Sequence, residues 1–145
     1  MKNKVAEIEV SYKPTIGRKP MIKSSYDAYT ELKAFYPDET IELQEQFVVM
    51  YLNRATRVLG IYPSSKGGIT GTSVDIRLIL SVALKTAATS IIISHNHPSG
   101  NLYPSIADKE LTQKIKNAAK LLDITLLDHI IITKEDYFSF EDKGV

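Results

Sequence analysis

Apolar residues recur along this chain with two periods, one near two and one near three and a half. Residues 5–12 alternate (Val5, Ile8, Val10, Tyr12), which predicts an edge strand. Residues 13–22 contain Pro14 and Pro20 and read as a connector. Helical spacing then sets in at Tyr26, Ala28, Tyr29, Leu32 and Phe35, with Ser24 or Ser25 as cap and Pro37 as the stop. The run QFVVMYL predicts a strand at 46–52, Asn53-Arg54 a turn, and 58–62 the second strand of a hairpin. Residues 64–72 read as a flexible loop. Ser73 is the expected N-cap of a helix reaching about Thr86, with Asp75 in its first turn and Ile76, Ile79, Leu80, Ala83 and Leu84 as its buried stripe. The apolar triplet inside 90–94 predicts a central strand covered on both faces. A loop at 95–104, a helix at 105–122 and strands at 124–133 and 137–140 complete the chain.

After residue 73 helices alternate with strands, which argues for an α/β fold: a mixed β-sheet sandwiched by helices in a single domain. The expected division is a strand and basic connector at 1–23 and the domain itself at 24–145. A length of 145 residues, with 43% hydrophobic and 24% charged, suits one soluble domain. There are no cysteines, so a thiolate zinc site, a cysteine nucleophile and disulfides are excluded, and any metal must bind through nitrogen and oxygen. No apolar stretch is long enough to span a bilayer and the N-terminus lacks a signal-type apolar run, so a cytoplasmic location is the default expectation. A net charge of +1 gives no overall attraction for polyanions. The local cluster Lys13, Arg18, Lys19 and Lys23 can touch phosphates, although a solvated linker is the preferred reading.

The chemistry concentrates in residues 94–108, which hold two of the three histidines. His95 and His97 lie two apart at the end of an apolar strand, so both imidazoles fall on one face and can point at one atom. Pro98 should end that strand. Asp108 falls in the first turn of the next helix, and the intervening loop can fold it back onto the imidazoles. Two nitrogens and one oxygen at ~2.0–2.2 Å make a three-ligand site whose fourth position takes water, the pattern of a catalytic metal. The competing reading of Ser105-x-x-Asp108 is a capping box, which calls on the same carboxylate oxygens. The literal His95-Asn96-His97 triplet is not the dispersed motif of HNH nucleases. The zinc deaminase pattern needs cysteines that this chain lacks.

His95-x-His97-Pro98, then Ser105-x-x-Asp108, resembles the full JAMM motif of MPN-domain metalloproteases. The strings HNHPSG and PSxxD, with Leu127-Asp128-His129 before the apolar run 130–132, are similar to the RadC-like branch in particular, over about residues 24–145. The resemblance implies a cytidine-deaminase-like architecture and a Zn²⁺ held by His95, His97 and Asp108. It also implies hydrolysis of a peptide or isopeptide amide by a metal-activated water. Glu45 matches the family's general base, with Glu42 as local competitor, and Ser105 would donate a hydrogen bond to the tetrahedral oxyanion. Longer RadC-like proteins carry an N-terminal helix-hairpin-helix region, whereas only about 20 residues precede the similarity here.

Three further residue sets carry weaker expectations. His129 reads as a hydrogen-bonded core histidine in preference to a fourth ligand. The glycine-containing loop 66–71 reads as a flap, since it lacks the phosphate-loop pattern. Asn96, Ser99 and Asn101 read as shaping the turn around the ligands. The alternatives to a hydrolase acting on protein or peptide are a nucleic-acid-associated protein tied to repair or mobile elements, and an inactive scaffold or homodimer pairing through the edge at 5–12.

Overall fold

The structure, a computed structural model, describes residues 4–67 and 73–145. Helix α1 (Ser25–Lys33) is capped by Ser24, whose side chain accepts the Asp27 amide. Strands β1 (Gln46–Leu52) and β2 (Val58–Lys66) form the hairpin, and Asn53 Oδ1 closes its loop by accepting the amides of Ala55 and Arg57. Helix α2 (Ile76–Lys85), strand β3 (Ser90–Asn96), helix α3 (Ile106–Leu121) and strand β4 (Thr125–Ile132) follow in alternation. Strand β5 (Tyr137–Ser139) and the short helix α4 (Phe140–Lys143) end the chain.

One mixed sheet runs in the order β2-β1-β3-β4-β5. β1 is antiparallel to both β2 and β3, β3 and β4 are parallel, and β5 returns antiparallel to β4. The parallel pair requires a crossover, and α3 supplies it. Period-two alternation sorts the core onto two faces. Val48, Met50, Leu52 and Ile92 pack with Ala28, Leu32 and Tyr36 on the α1 side. Phe47, Val49, Tyr51, Ile91 and Ile93 pack with Ile79 and Ala83 of α2 and Ile115 and Ala119 of α3 on the other. Each fully buried isoleucine in these layers contributes about 1.5–3 kcal/mol relative to exposure. His95 stands two residues beyond Ile93, so the same alternation carries it onto the α2/α3 side at the end of the central strand.

Four local expectations are corrected. Residues 5–12 form no strand: the bridge and backbone hydrogen bonds to Thr56, Arg57 and Val58 at the sheet edge come from residues 20–22, and Val5, Ile8 and Val10 stay exposed. Alternation without a ladder partner does not make a strand; the contact that remains is the Tyr12 hydroxyl donating to the Leu59 carbonyl. The cap of α2 is Asp75, not Ser73, because the Asp75 side chain accepts the Leu78 amide. β2 runs on through Ser64 and Ser65 to Lys66, since its partner β1 still offers Phe47 and Gln46 for pairing. The last strand stops at Ser139, which caps α4. Residues 68–72, which hold most of the flap expected at 66–71 and the end of the 64–72 loop, lie outside the described residues. No helix among the described residues is long and apolar enough to cross a membrane.

Candidate metal centre

Three segments bring the expected residues together. The end of β3 carries His95 into the interior, with its side chain only 3% exposed. His97 lies just beyond the strand, its amide still donating to the Ile132 carbonyl at 3.0 Å. The chain then turns through Pro98–Gly100, closed by Gly100 N–H on the His97 carbonyl at 3.0 Å. Gly100 takes φ +85°, a conformation that side-chain-bearing residues rarely adopt. This turn sets the Asn101 carbonyl 2.6 Å from His97 Nδ1. A carbonyl only accepts, so Nδ1 carries a proton and the neutral ring keeps its lone pair on Nε2.

The first turn of α3 supplies Asp108. Its carboxylate both completes the helix cap and reaches the histidines. The Ser105 side chain accepts the Asp108 amide at 3.0 Å, and Asp108 Oδ2 accepts the Ser105 amide at 2.8 Å, completing the capping box. The same carboxylate reaches the histidines, with Oδ1 3.2 Å from His95 Nε2 and Oδ2 3.1 Å from His97 Nε2. The cap therefore aims the carboxylate and does not compete with its place at the site. Because Ser105 Oγ serves the cap as an acceptor, the cap does not use its hydroxyl proton.

Glu45 enters from the start of β1, its Oε1 3.8 Å from His95 Nε2. Asn96 fixes this segment: its Oδ1 accepts the Gln46 amide, and its Nδ2 donates to the Ile41 and Gln44 carbonyls at 2.8 and 2.9 Å. Glu42 points elsewhere and pairs with Lys134 at 3.6 Å on an exposed face. Glu45, His95 and His97 offer ligand atoms that all lie within 4.8 Å of one another. Asp108 nonetheless makes the shorter contacts to both rings.

The donor set suits a divalent ion that accepts nitrogen and oxygen. The two Nε2 atoms are 2.9 Å apart. Donors about 2.0–2.2 Å from a tetrahedral ion are about 3.3 Å from one another, close to the separations among the His95, His97 and Asp108 atoms. Two imidazole nitrogens and one carboxylate at these separations form a donor set that fits such an ion. Burial alone would lower the His97 pKa, but the Asp108 carboxylate and the Asn101 carbonyl outweigh it and raise it above the ordinary value. For Asp108, burial is likewise overcome, by its contacts with the His95 and His97 rings and by the Ser105 amide, and its carboxyl sits well below the usual range. The site opens onto a cleft of about 580 Å³ whose walls include Phe47, Val74, Tyr103, Pro104 and Leu111.

His129 lies directly behind His95. It is buried, stacks on Phe140 with ring centroids 4.5 Å apart, and places Nε2 2.7 Å from His95 Nδ1. The core-histidine reading stands, with the addition that its partner is a ligand candidate. Thr112 was not foreseen: its hydroxyl is 2.6 Å from His129 Nδ1. The available signal was its place four residues after Asp108, on the same helix face.

Comparisons with known proteins identify the family. A family model described as "RadC-like JAB domain" matches residues 22–145. A UPF0758 protein of Flavobacterium johnsoniae is 46% identical over 124 residues, covering 86% of this chain and 53% of the relative. Another, from Porphyromonas gingivalis, is 40% identical over 129 residues, covering 88% and 56%. A third, from Chlorobaculum parvum, is 37% identical over 136 residues, covering 94% and 59%. The chain thus spans a little over half the length of the curated relatives it matches. With the match reaching from the last residues of the connector to Val145, the chain belongs to the RadC-like JAB domain family.

Proposed function

We propose that the protein is a zinc-dependent hydrolase of peptide or isopeptide amide bonds, with His95, His97 and Asp108 holding the ion. The observation that carries this reading is the convergence of both Nε2 atoms and the Asp108 carboxylate within 2.9–3.2 Å, at the floor of an open cleft. When bound there, Zn²⁺ supplies Lewis acidity and brings the pKa of coordinated water towards about 7. The two carboxylates divide by distance. Asp108 is in contact with both imidazoles, whereas Glu45 stands off at 3.8 Å from one of them, which suits a group that moves a proton. Glu45 accepts the proton from the attacking water and delivers it to the leaving amine. Ser105, held by its cap, directs its free O–H towards the oxyanion that forms on the substrate carbonyl. The cleft walls around Val74, Tyr103 and Leu111 receive the polypeptide substrate in this reading.

The test is a peptide and isopeptide hydrolysis screen with the zinc-loaded protein beside a Glu45→Gln variant. Glu45→Gln keeps the metal and loses turnover by about 10²–10⁴-fold. Loss of the metal in that variant would instead make Glu45 a ligand.

A second reading rests on a different face. Arg57 Nη1 donates to the Lys19 carbonyl at 2.9 Å, and Arg57 lines one shallow depression with Arg18, Lys19 and Lys23. Phosphate groups of a nucleic acid fit that charge. An affinity for DNA that falls steeply with salt supports this reading, and no binding at low salt removes it.

A further inference from the structure

We infer that His129 and Thr112 are positioning residues that fix the tautomer of His95, so that its Nε2 lone pair faces the metal site. The argument follows three contacts in order. Thr112 Oγ1 is 2.6 Å from the Asp108 backbone carbonyl, which only accepts, so the single hydroxyl proton lies in that bond. The same oxygen is 2.6 Å from His129 Nδ1 and has only lone pairs left to offer, so His129 Nδ1 carries a proton and donates. His129 is fully buried between Phe140 and Phe47. Among the described residues its ring nitrogens meet only Thr112 Oγ1 and His95 Nδ1, with no carboxylate in contact to balance a second proton, which leaves Nε2 as an acceptor. The proton in the 2.7 Å contact therefore belongs to His95 Nδ1, and in the neutral His95 ring Nε2 keeps its lone pair.

The direction of this chain is imposed from α3. It starts at the carbonyl of Asp108, passes through β4 and ends on the ring of His95, joining the backbone of one ligand residue to the imidazole of another. His97 receives the same orientation from a simpler source, the Asn101 carbonyl. The Asp108-x-x-x-Thr112 spacing on α3 and the position of His129 on β4 together supply to the buried ligand what a loop carbonyl supplies to the accessible one. Partners of this kind typically change metal affinity by about 10- to 100-fold when removed.

This inference rests on the metal-centre reading, and its test separates the two. In the metal-free full chain, long-range proton–nitrogen NMR spectra of the imidazoles show which ring nitrogen of each histidine is protonated. Competition between the protein and a chelator for Zn²⁺ gives the affinity. The proton of His95 is expected on Nδ1 in the parent and in Thr112→Ser, which keeps the hydroxyl. Thr112→Val is expected to let His129 reverse, move the His95 proton to Nε2 and weaken zinc binding about 10- to 100-fold, with Thr112→Ser close to the parent. A parent with the His95 proton on Nε2 overturns the assignment. So does a Thr112→Val variant with unchanged tautomer and affinity. If Thr112→Val does not fold, the spectrum of the parent decides alone. A parent that binds no zinc contradicts the metal-centre reading, while its spectrum still decides the direction of the hydrogen bonds.

Discussion

The Nε2 atoms of His95 and His97 face each other at 2.9 Å, with the Asp108 carboxylate bridging them. Without a metal, this arrangement ties the site to pH through His97 and, behind it, His129. The His97 pKa is raised in the folded protein: burial opposes this, but Asp108 and the Asn101 carbonyl prevail. Its contribution to stability is full below the unfolded value of about 6.5 and is lost as pH rises through the folded value. The His129 pKa is lowered by burial and by the neighbouring His95. The unfolded chain therefore binds the extra proton below about 6.5, and stability falls as pH drops through that region. The metal-free protein is expected to be most stable near pH 6–7. Thermal unfolding from pH 5 to 8 in a chelator measures this, and His97→Gln should flatten the alkaline side alone. Zinc binding runs the other way on that side, strengthening as His97 loses its competing proton.

Asn96 is the residue through which the site holds Glu45. Its side chain makes three hydrogen bonds to the 41–46 segment and is almost fully buried. Asn96→Ala leaves those backbone groups unpaired, at about 1–3 kcal/mol for each one left buried without water. Denaturant melts should show that loss. In the zinc-loaded variant turnover should fall more than zinc affinity if the segment released carries the proposed base and not a ligand.

Substitution can separate the capping role of Ser105 from the catalytic one proposed for it. Ser105→Ala removes the α3 cap at about 0.5–2 kcal/mol, whereas Ser105→Gly costs only a few tenths. Both remove the hydroxyl proposed to meet the oxyanion, a loss of about 10²–10³ in kcat. Equal kinetic defects with unequal stabilities are expected. A Ser105→Gly variant with parental kcat would confine Ser105 to capping.

Much of the fold was legible because its elements have strong local causes. β1 contains the run Phe47–Leu52 and β3 the apolar triplet Ile91–Ile93, so strand was the reading that length and β-branching favoured. The cap of α1 was narrowed to Ser24 or Ser25 and that of α3 to Ser105, because serine just before a helical apolar pattern is a strong capping signal. Asp75 displaced Ser73 because two good capping residues lay two apart, and local sequence does not rank them. Residues 5–12 failed because alternation reports a half-buried surface only when a sheet is there to cover it. At the site, His95, His97 and Asp108 were legible from spacing on one strand end and one helix start. The choice between Glu42 and Glu45 was not legible locally, since it depends on Asn96 gripping the backbone beside it. The Thr112–His129 link was also hidden, because it joins α3 to β4 across 17 residues of sequence.

Elemental analysis of the purified protein beside His97→Ala tests the central claim most directly. About one zinc per chain in the parent and near none in the variant is the expected result. A parent that stays metal-free after incubation with Zn²⁺ would contradict the metal centre and reduce Ser105 and Asp108 to the cap of α3.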